Sequence, residues 1–153
     1  MLKRMNLTSA SPAATKKLAA QLASALGKEQ KDHARVLALT GDLGAGKTTF
    51  VQGFARALGV KEPVLSPTFV IQKSFKLPRG GVLYHIDCYR LKDAGELREL
   101  GWQDIVSDSK NIVLVEWADR VKSALPKDAL RISFSHAGGS QRIIIVDQRG
   151  RGA

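Results

Sequence analysis

Gly41-Asp42-Leu43-Gly44-Ala45-Gly46-Lys47-Thr48 fits the pattern G-x-x-x-x-G-K-[ST], the Walker A loop. Each residue type has a chemical reason to be there. Glycines let the backbone turn with its N–H groups pointing inward, where side chains would obstruct. Those N–H groups, with the N-terminus of the following helix, cradle phosphate. Lys47 is placed to reach the β- and γ-phosphates, and the Thr48 hydroxyl to ligate Mg²⁺. Asp42, Leu43, Gly44, Ala45, Gly46 and Thr49 complete the expected nucleotide cradle. A P-loop nucleotidase also needs an acid near the magnesium. Asp87 follows Val82-Leu83-Tyr84-His85-Ile86, and Glu116 follows the apolar run Ile112-Val113-Leu114-Val115. Either carboxylate suits holding Mg²⁺, directly or through water, or orienting the attacking water.

Other residues near these motifs carry weaker signals. His85 stands two residues before Asp87, yet one His and one Asp do not specify a site, so the pattern favours a packing role. Cys88 reads as packed interior, with no partner for nucleophilic catalysis. Trp117 follows Glu116 and suits either a wall of the nucleotide site or the core. Thr68 lies in the loop after the P-loop helix, where switch-type NTPases carry a Thr that senses the γ-phosphate.

These residues need a scaffold. Arg35 to Thr40 reads as a fully buried strand leading into the glycine-rich turn. Lys47 to Leu58 reads as a helix, with Phe50, Val51, Phe54 and Leu58 at helical spacing and Gly59 after it. Ser11-Pro12 marks another helix start and Gly27 its stop, with Leu18, Leu22 and Leu26 on one face. Residues 28–34 form a polar linker. Val60 to Thr68, with Pro63 and Pro67, is loop. Phe69 to Leu77 and Val82 to Asp87 form strands around the turn Pro78-Arg79-Gly80-Gly81. Residues 92–109 read as an interrupted helical region around Leu97, Leu100, Trp102, Ile105 and Val106. Asn111 to Glu116 contains a second apolar strand, and 118–125 a short helix ended by Pro126. Leu130 to Phe134, the turn Gly138-Gly139-Ser140 and Ile143 to Val146 make a closing hairpin. The sum is one α/β domain, a P-loop fold with a mixed central sheet flanked by helices, over residues 1–148. Residues 149–153 read as a basic flexible tail.

Composition narrows the function classes. The 153 residues are 44% hydrophobic and 25% charged, which suits a folded domain. The longest aliphatic runs are four residues, against about 20 for a spanning helix, so no membrane role is expected. No secretory signal is evident, and a cytoplasmic setting is the expectation. A single cysteine excludes an internal disulfide framework. The net charge of +10 favours polyanions. Residues 1–35 carry seven Lys and Arg against Glu29 and Asp32. No RNA-binding signature with interleaved aromatics accompanies that charge, so nucleic-acid contact is secondary. Asn-Lys-x-Asp and Leu-Ser-Gly-Gly-Gln are both absent, leaving ATP as the default nucleotide.

Four separated motifs occur in order: the Walker A loop running on through Thr49-Phe50, then Ser66-Pro67-Thr68-Phe69, then His85-Ile86-Asp87-Cys88-Tyr89-Arg90-Leu91, then Glu116-Trp117. Together they resemble the TsaE (YjeE) family, small bacterial ATPases needed to make N6-threonylcarbamoyladenosine at position 37 of tRNAs. The resemblance covers the chain from about the first helix to the last hairpin. It implies two partners, TsaB and TsaD, with TsaD transferring the threonylcarbamoyl group and ATP hydrolysis resetting the pair. It also implies ATP and Mg²⁺ as cofactors. Lys47 and Thr48 would hold phosphate and metal, Asp87 and Glu116 would stand near the metal, and Trp117 and Thr68 would lie beside the site. Weak hydrolysis by the isolated protein is implied too, and no arginine finger is recognisable in cis. The chain departs from the family in the longer polar segment 28–34 and in the tail Arg149-Gly150-Arg151-Gly152, which leaves weak or indirect tRNA contact open. Two other readings compete. A small-molecule P-loop kinase would use Asp87 as base, with Lys73, Lys76 and Arg79 imitating a lid. A nucleotide-gated binding module would hydrolyse ATP incidentally.

A lysine on a phosphate loop contributes charge to a ligand and little to a core. Lys47→Ala is therefore expected to abolish ATP turnover while leaving the fold intact, checked by a turnover assay beside a thermal melt.

Overall fold

The computed structural model describes residues 4–28, 31–42, 44–65 and 71–148. Seven strands form one mixed sheet: β1 (Arg4–Ser9), β2 (Arg35–Gly41), β3 (Gln72–Lys76), β4 (Val82–Asp87), β5 (Ile112–Glu116), β6 (Leu130–His136) and β7 (Arg142–Gln148). Their spatial order is β1-β7-β6-β2-β5-β4-β3. The inner strands β4, β5, β2 and β6 run parallel, and the antiparallel pairs β3–β4, β6–β7 and β1–β7 complete both edges. The strands β2 and β5 are apolar on both faces because helices cover both faces of the sheet.

α1 (Pro12–Leu26) and α2 (Lys47–Ala57) pack on one face. Their side chains, including Leu22, Leu26, Phe50 and Phe54, form a buried cluster with Leu37, Leu39, Leu83 and Leu114. The opposite face of β2, β4 and β5 is covered by α3 (Ala94–Arg98), α4 (Trp102–Ser107) and a 3-10 helix at Ala118–Ala124. Within that second layer Leu97, Trp102 and Val121 meet Val36, Ile86, Val113 and Val115. Cys88 belongs here as expected, fully buried, and burial pushes its thiol up to about 12.

The structure differs from the sequence reading at a few points. β1 was not apparent from the pattern. Only Met5 and Leu7 alternate with Arg4, Asn6 and Thr8, and the strand exists by pairing along its whole length with β7. The helical region 92–109 is two short helices, because Gly101 adopts φ +84 between them. The predicted helix 118–125 is a 3-10 helix with non-helical backbone at Val121. The polar segment before β2 is tied down from a distance: Lys31 Nζ and His33 Nε2 reach the Asp128 carboxylate at 3.1 and 3.0 Å. Hydrogen bonds to Asp32 and Asp128 raise the His33 pKa.

Local chemistry sets the helix starts. Ser11 caps α1 by accepting from the Ala14 amide at 3.1 Å, and the buried Ser9 hydroxyl bonds Thr15 at 2.7 Å. α2 begins after Gly46, at φ +103, with no side-chain cap. Gly53 of α2 lies against α1 so closely that a Cβ would stand 2.6 Å from the Lys16 Cα. Gly53→Ala should gain helix propensity of roughly 1 kcal/mol. The forced separation of α1 and α2 costs more, up to about 3 kcal/mol. The net expectation is a loss of roughly 1–2 kcal/mol in denaturant unfolding, opposite in sign to the same change at an exposed helical glycine.

Candidate nucleotide site

The parallel register brings the chemistry to one edge of the sheet. Asp87 pairs with Glu116 across β4–β5, and Glu116 pairs with Leu39 across β5–β2, two residues before the phosphate loop. Both acids therefore end their strands beside the loop, where ligands bind in sheets of this kind. Gly41 opens the loop at φ +138, and a Cβ there would lie 2.4 Å from the Phe134 carbonyl oxygen of β6. Only glycine fits that approach. Gly44 is also left-handed, at φ +76.

A cleft of about 230 Å³ lies above this edge. Gly44, Gly46, Lys47, Thr48, Thr49, Asp87, Glu116 and Trp117 line it, so these expected residues stand together. Asp42 and Ala45 contribute backbone instead. The Asp42 carbonyl accepts from the Ala45 amide at 3.1 Å, while the Ala45 side chain is buried in the core. Leu43 and Thr68, with Ser66, Pro67 and Phe69, lie outside the described residues, as does the 149–153 tail.

Lys47 is 5% exposed, and its Nζ donates to the Gly41 carbonyl and, at 3.0 Å, to that of Asp42. Burial lowers its pKa, and the Glu116, Asp42, Asp87 and Asp119 carboxylates oppose the shift. The ammonium also lies 4.3 Å from the centre of the Trp117 ring, a cation–π distance. Trp117 thus walls the site. It takes left-handed backbone at φ +57 to turn from β5 into the 3-10 helix. Tyr89 packs on its indole at 5.0 Å, and the Arg120 guanidinium lies 5.3 Å from the Tyr89 ring.

The Thr48 hydroxyl stands 3.5 Å from each Glu116 oxygen. Asp87 accepts from the Tyr89 amide at 2.8 Å. A threonine hydroxyl and two carboxylates are hard oxygen donors, the set that suits Mg²⁺. Among the described residues no group of three or more His, Cys, Asp and Glu forms a metal cluster. A metal here would therefore share its coordination with phosphate oxygens and water, as Mg²⁺ sites commonly do.

A model of the family described as "Threonylcarbamoyl adenosine biosynthesis protein TsaE" matches residues 9–144. The chain belongs to the TsaE family. It is 40% identical over 145 residues to the tRNA threonylcarbamoyladenosine biosynthesis protein TsaE of Bacillus subtilis, covering 94% of this chain and 85% of that protein. The Haemophilus influenzae protein of the same name is 31% identical over 132 residues, covering 86% and 82%. A crystal structure of YdiB from Bacillus subtilis superposes with a TM-score of 0.78 at 34% identity, covering 98% of this chain and 88% of that one. The expected mixed-sheet P-loop fold of the TsaE family is thus borne out.

Sequence reasoning did not single out five cleft-lining residues as functional: Ser11, Pro12, Thr15, Ser140 and Arg142. They come from α1 and from the β6–β7 turn. Arg142 Nη2 donates to the Gly44 carbonyl at 3.1 Å across 98 residues of chain, and Nη1 donates to Gly139 and Gln141. No local pattern marks such an approach. Arg142→Ala should release the loop from the hairpin. Loss of one such hydrogen bond, about 1 kcal/mol, corresponds to roughly fivefold weaker ATP binding by calorimetry.

Proposed function

We propose that this TsaE-family chain binds and hydrolyses ATP with Mg²⁺, and acts with TsaB- and TsaD-like proteins in forming N6-threonylcarbamoyladenosine on tRNA in the cytoplasm. The observation that carries this reading is the convergence of Lys47, Thr48, Asp87 and Glu116 on one cleft. The α2 N-terminus and the loop amides bind the phosphates. Lys47, held by the loop carbonyls, directs its charge to them. Thr48, Asp87 and Glu116 are the residues that would hold the metal, which when bound neutralises charge developing on the phosphates. Glu116 also orients the attacking water. Trp117 covers Lys47 and excludes solvent from one side. Of the nearby arginines, Arg120 lies against the Tyr89 ring and the Arg142 guanidinium is engaged with the Gly44, Gly139 and Gln141 carbonyls, which supports an arginine finger supplied by a partner.

The kinase reading loses Lys76 and Arg79 from its lid. Lys76 pairs with Val82 at the start of β4, so the Pro78–Gly81 turn lies at the sheet end opposite Asp87. No helix among the described residues is long and apolar enough to cross a membrane.

The test is ATP turnover by the full chain, alone and with TsaB and TsaD added. Strong stimulation by the partners is expected. Glu116→Ala should retain ATP binding while losing both turnover and tRNA modification. Modification that survives in Glu116→Ala would favour a nucleotide-gated binding module.

A further inference from the structure

His85 lies against Glu116, and the chemistry proposed for the cleft leaves it unused. It lies two residues before Asp87 on β4, on the face that α2 covers, beside Leu83 and Leu114. It is fully buried. Its Nε2 stands 2.5 Å from Glu116 Oε2. Its Nδ1 is buried and has no hydrogen-bond partner among the described residues. A position flanked by leucines is met at less cost by another apolar residue, since a half-satisfied buried imidazole needs a reason to be there. The direction of the single bond supplies that reason.

Glu116 is itself 3% exposed. Its contacts with Thr48 are long, at 3.5 Å, whereas the one with His85 is short and charge-assisted. The Nε2–H tautomer donates to the carboxylate and leaves only an acceptor bare at Nδ1. The imidazole is fully buried, and β4 pairs on both sides, with β3 and β5. The ring therefore restrains Oε2, and with it the plane of a carboxylate whose two oxygens both stand 3.5 Å from the Thr48 hydroxyl.

We propose that His85 is a positioning residue for Glu116: it restrains the carboxylate in the orientation that ATP hydrolysis needs, without touching nucleotide itself. This rests on the hydrolytic reading above. It differs from a packing role in what it predicts. A packing histidine affects turnover only through stability, whereas a positioning histidine affects kcat at unchanged nucleotide affinity.

The experiment compares wild type, His85→Leu, His85→Gln and His85→Asn in the full chain, with partners present for turnover. Thermal unfolding and calorimetric ATP affinity are measured beside kcat. His85→Leu should lower kcat about tenfold or more, with ATP Kd within about twofold of wild type. The Gln amide reaches as far as Nε2 and should restore kcat to within about threefold, while the shorter Asn should not. In a Glu116→Ala background, His85→Leu should cost nothing further. If His85→Leu fails to fold, the Gln and Asn variants decide. Equal kcat in those two, or a loss that follows melting temperature or Kd, overturns the positioning role. Wild-type protein that does not hydrolyse ATP even with partners overturns the hydrolytic reading as well. Wild type that hydrolyses as fast as a folded His85→Leu overturns only the role of His85.

Discussion

The parallel pairing of β2, β5 and β4 is the constraint on which the site depends. Register in a sheet is all or nothing, because a slip of one residue turns every side chain to the other face. Here it places Leu39, Glu116 and Asp87 in one row across three strands. The row faces α2, whose first turn carries Lys47 and Thr48. A one-residue slip of β5 would turn Glu116 toward the second helical layer. The apolar runs on either face of these strands therefore hold the chemistry in place as well as forming the core.

The loop between β2 and α2 is constrained from outside as well. Gly41 meets the Phe134 backbone too closely for any side chain, and Arg142 anchors the Gly44 carbonyl from the last hairpin. Trp117 then covers Lys47 from the end of β5. Three segments far apart in sequence thus fix the conformation of one short loop. Lys47, Glu116, Asp87 and His85 are all buried at this edge; His85 and Glu116 hold each other, while loop carbonyls hold Lys47 and the Tyr89 amide holds Asp87. Such networks are rigid when satisfied and costly when broken. That favours a cleft whose geometry is set in advance of any ligand.

Much of this was legible in the residues. Walker A spacing, a buried strand before it and an amphipathic helix after it are local patterns, and each survives as β2, the loop and α2. Asp87 and Glu116 announced themselves by ending apolar strands, and the closing hairpin by its Gly-Gly-Ser turn. Local pattern suffices there because strand burial and helix periodicity depend on neighbours a few residues away. β1 was not legible, since two apolar residues near the chain start carry too little signal and the strand is stabilised by β7, more than 130 residues on.

The sequence by itself determined the phosphate loop, the two acids, the α/β class and the family. Tertiary structure alone decided which groups meet. It put Arg142 on the loop, Ser11 and Thr15 at the cleft, and Lys76 and the Pro78–Gly81 turn at the sheet end opposite Asp87. It also turned His85 from a core residue into the partner of Glu116. The physical reason is the same in each case. A contact between residues some 30 to 100 positions apart depends on strand order and register, and no local spacing encodes either.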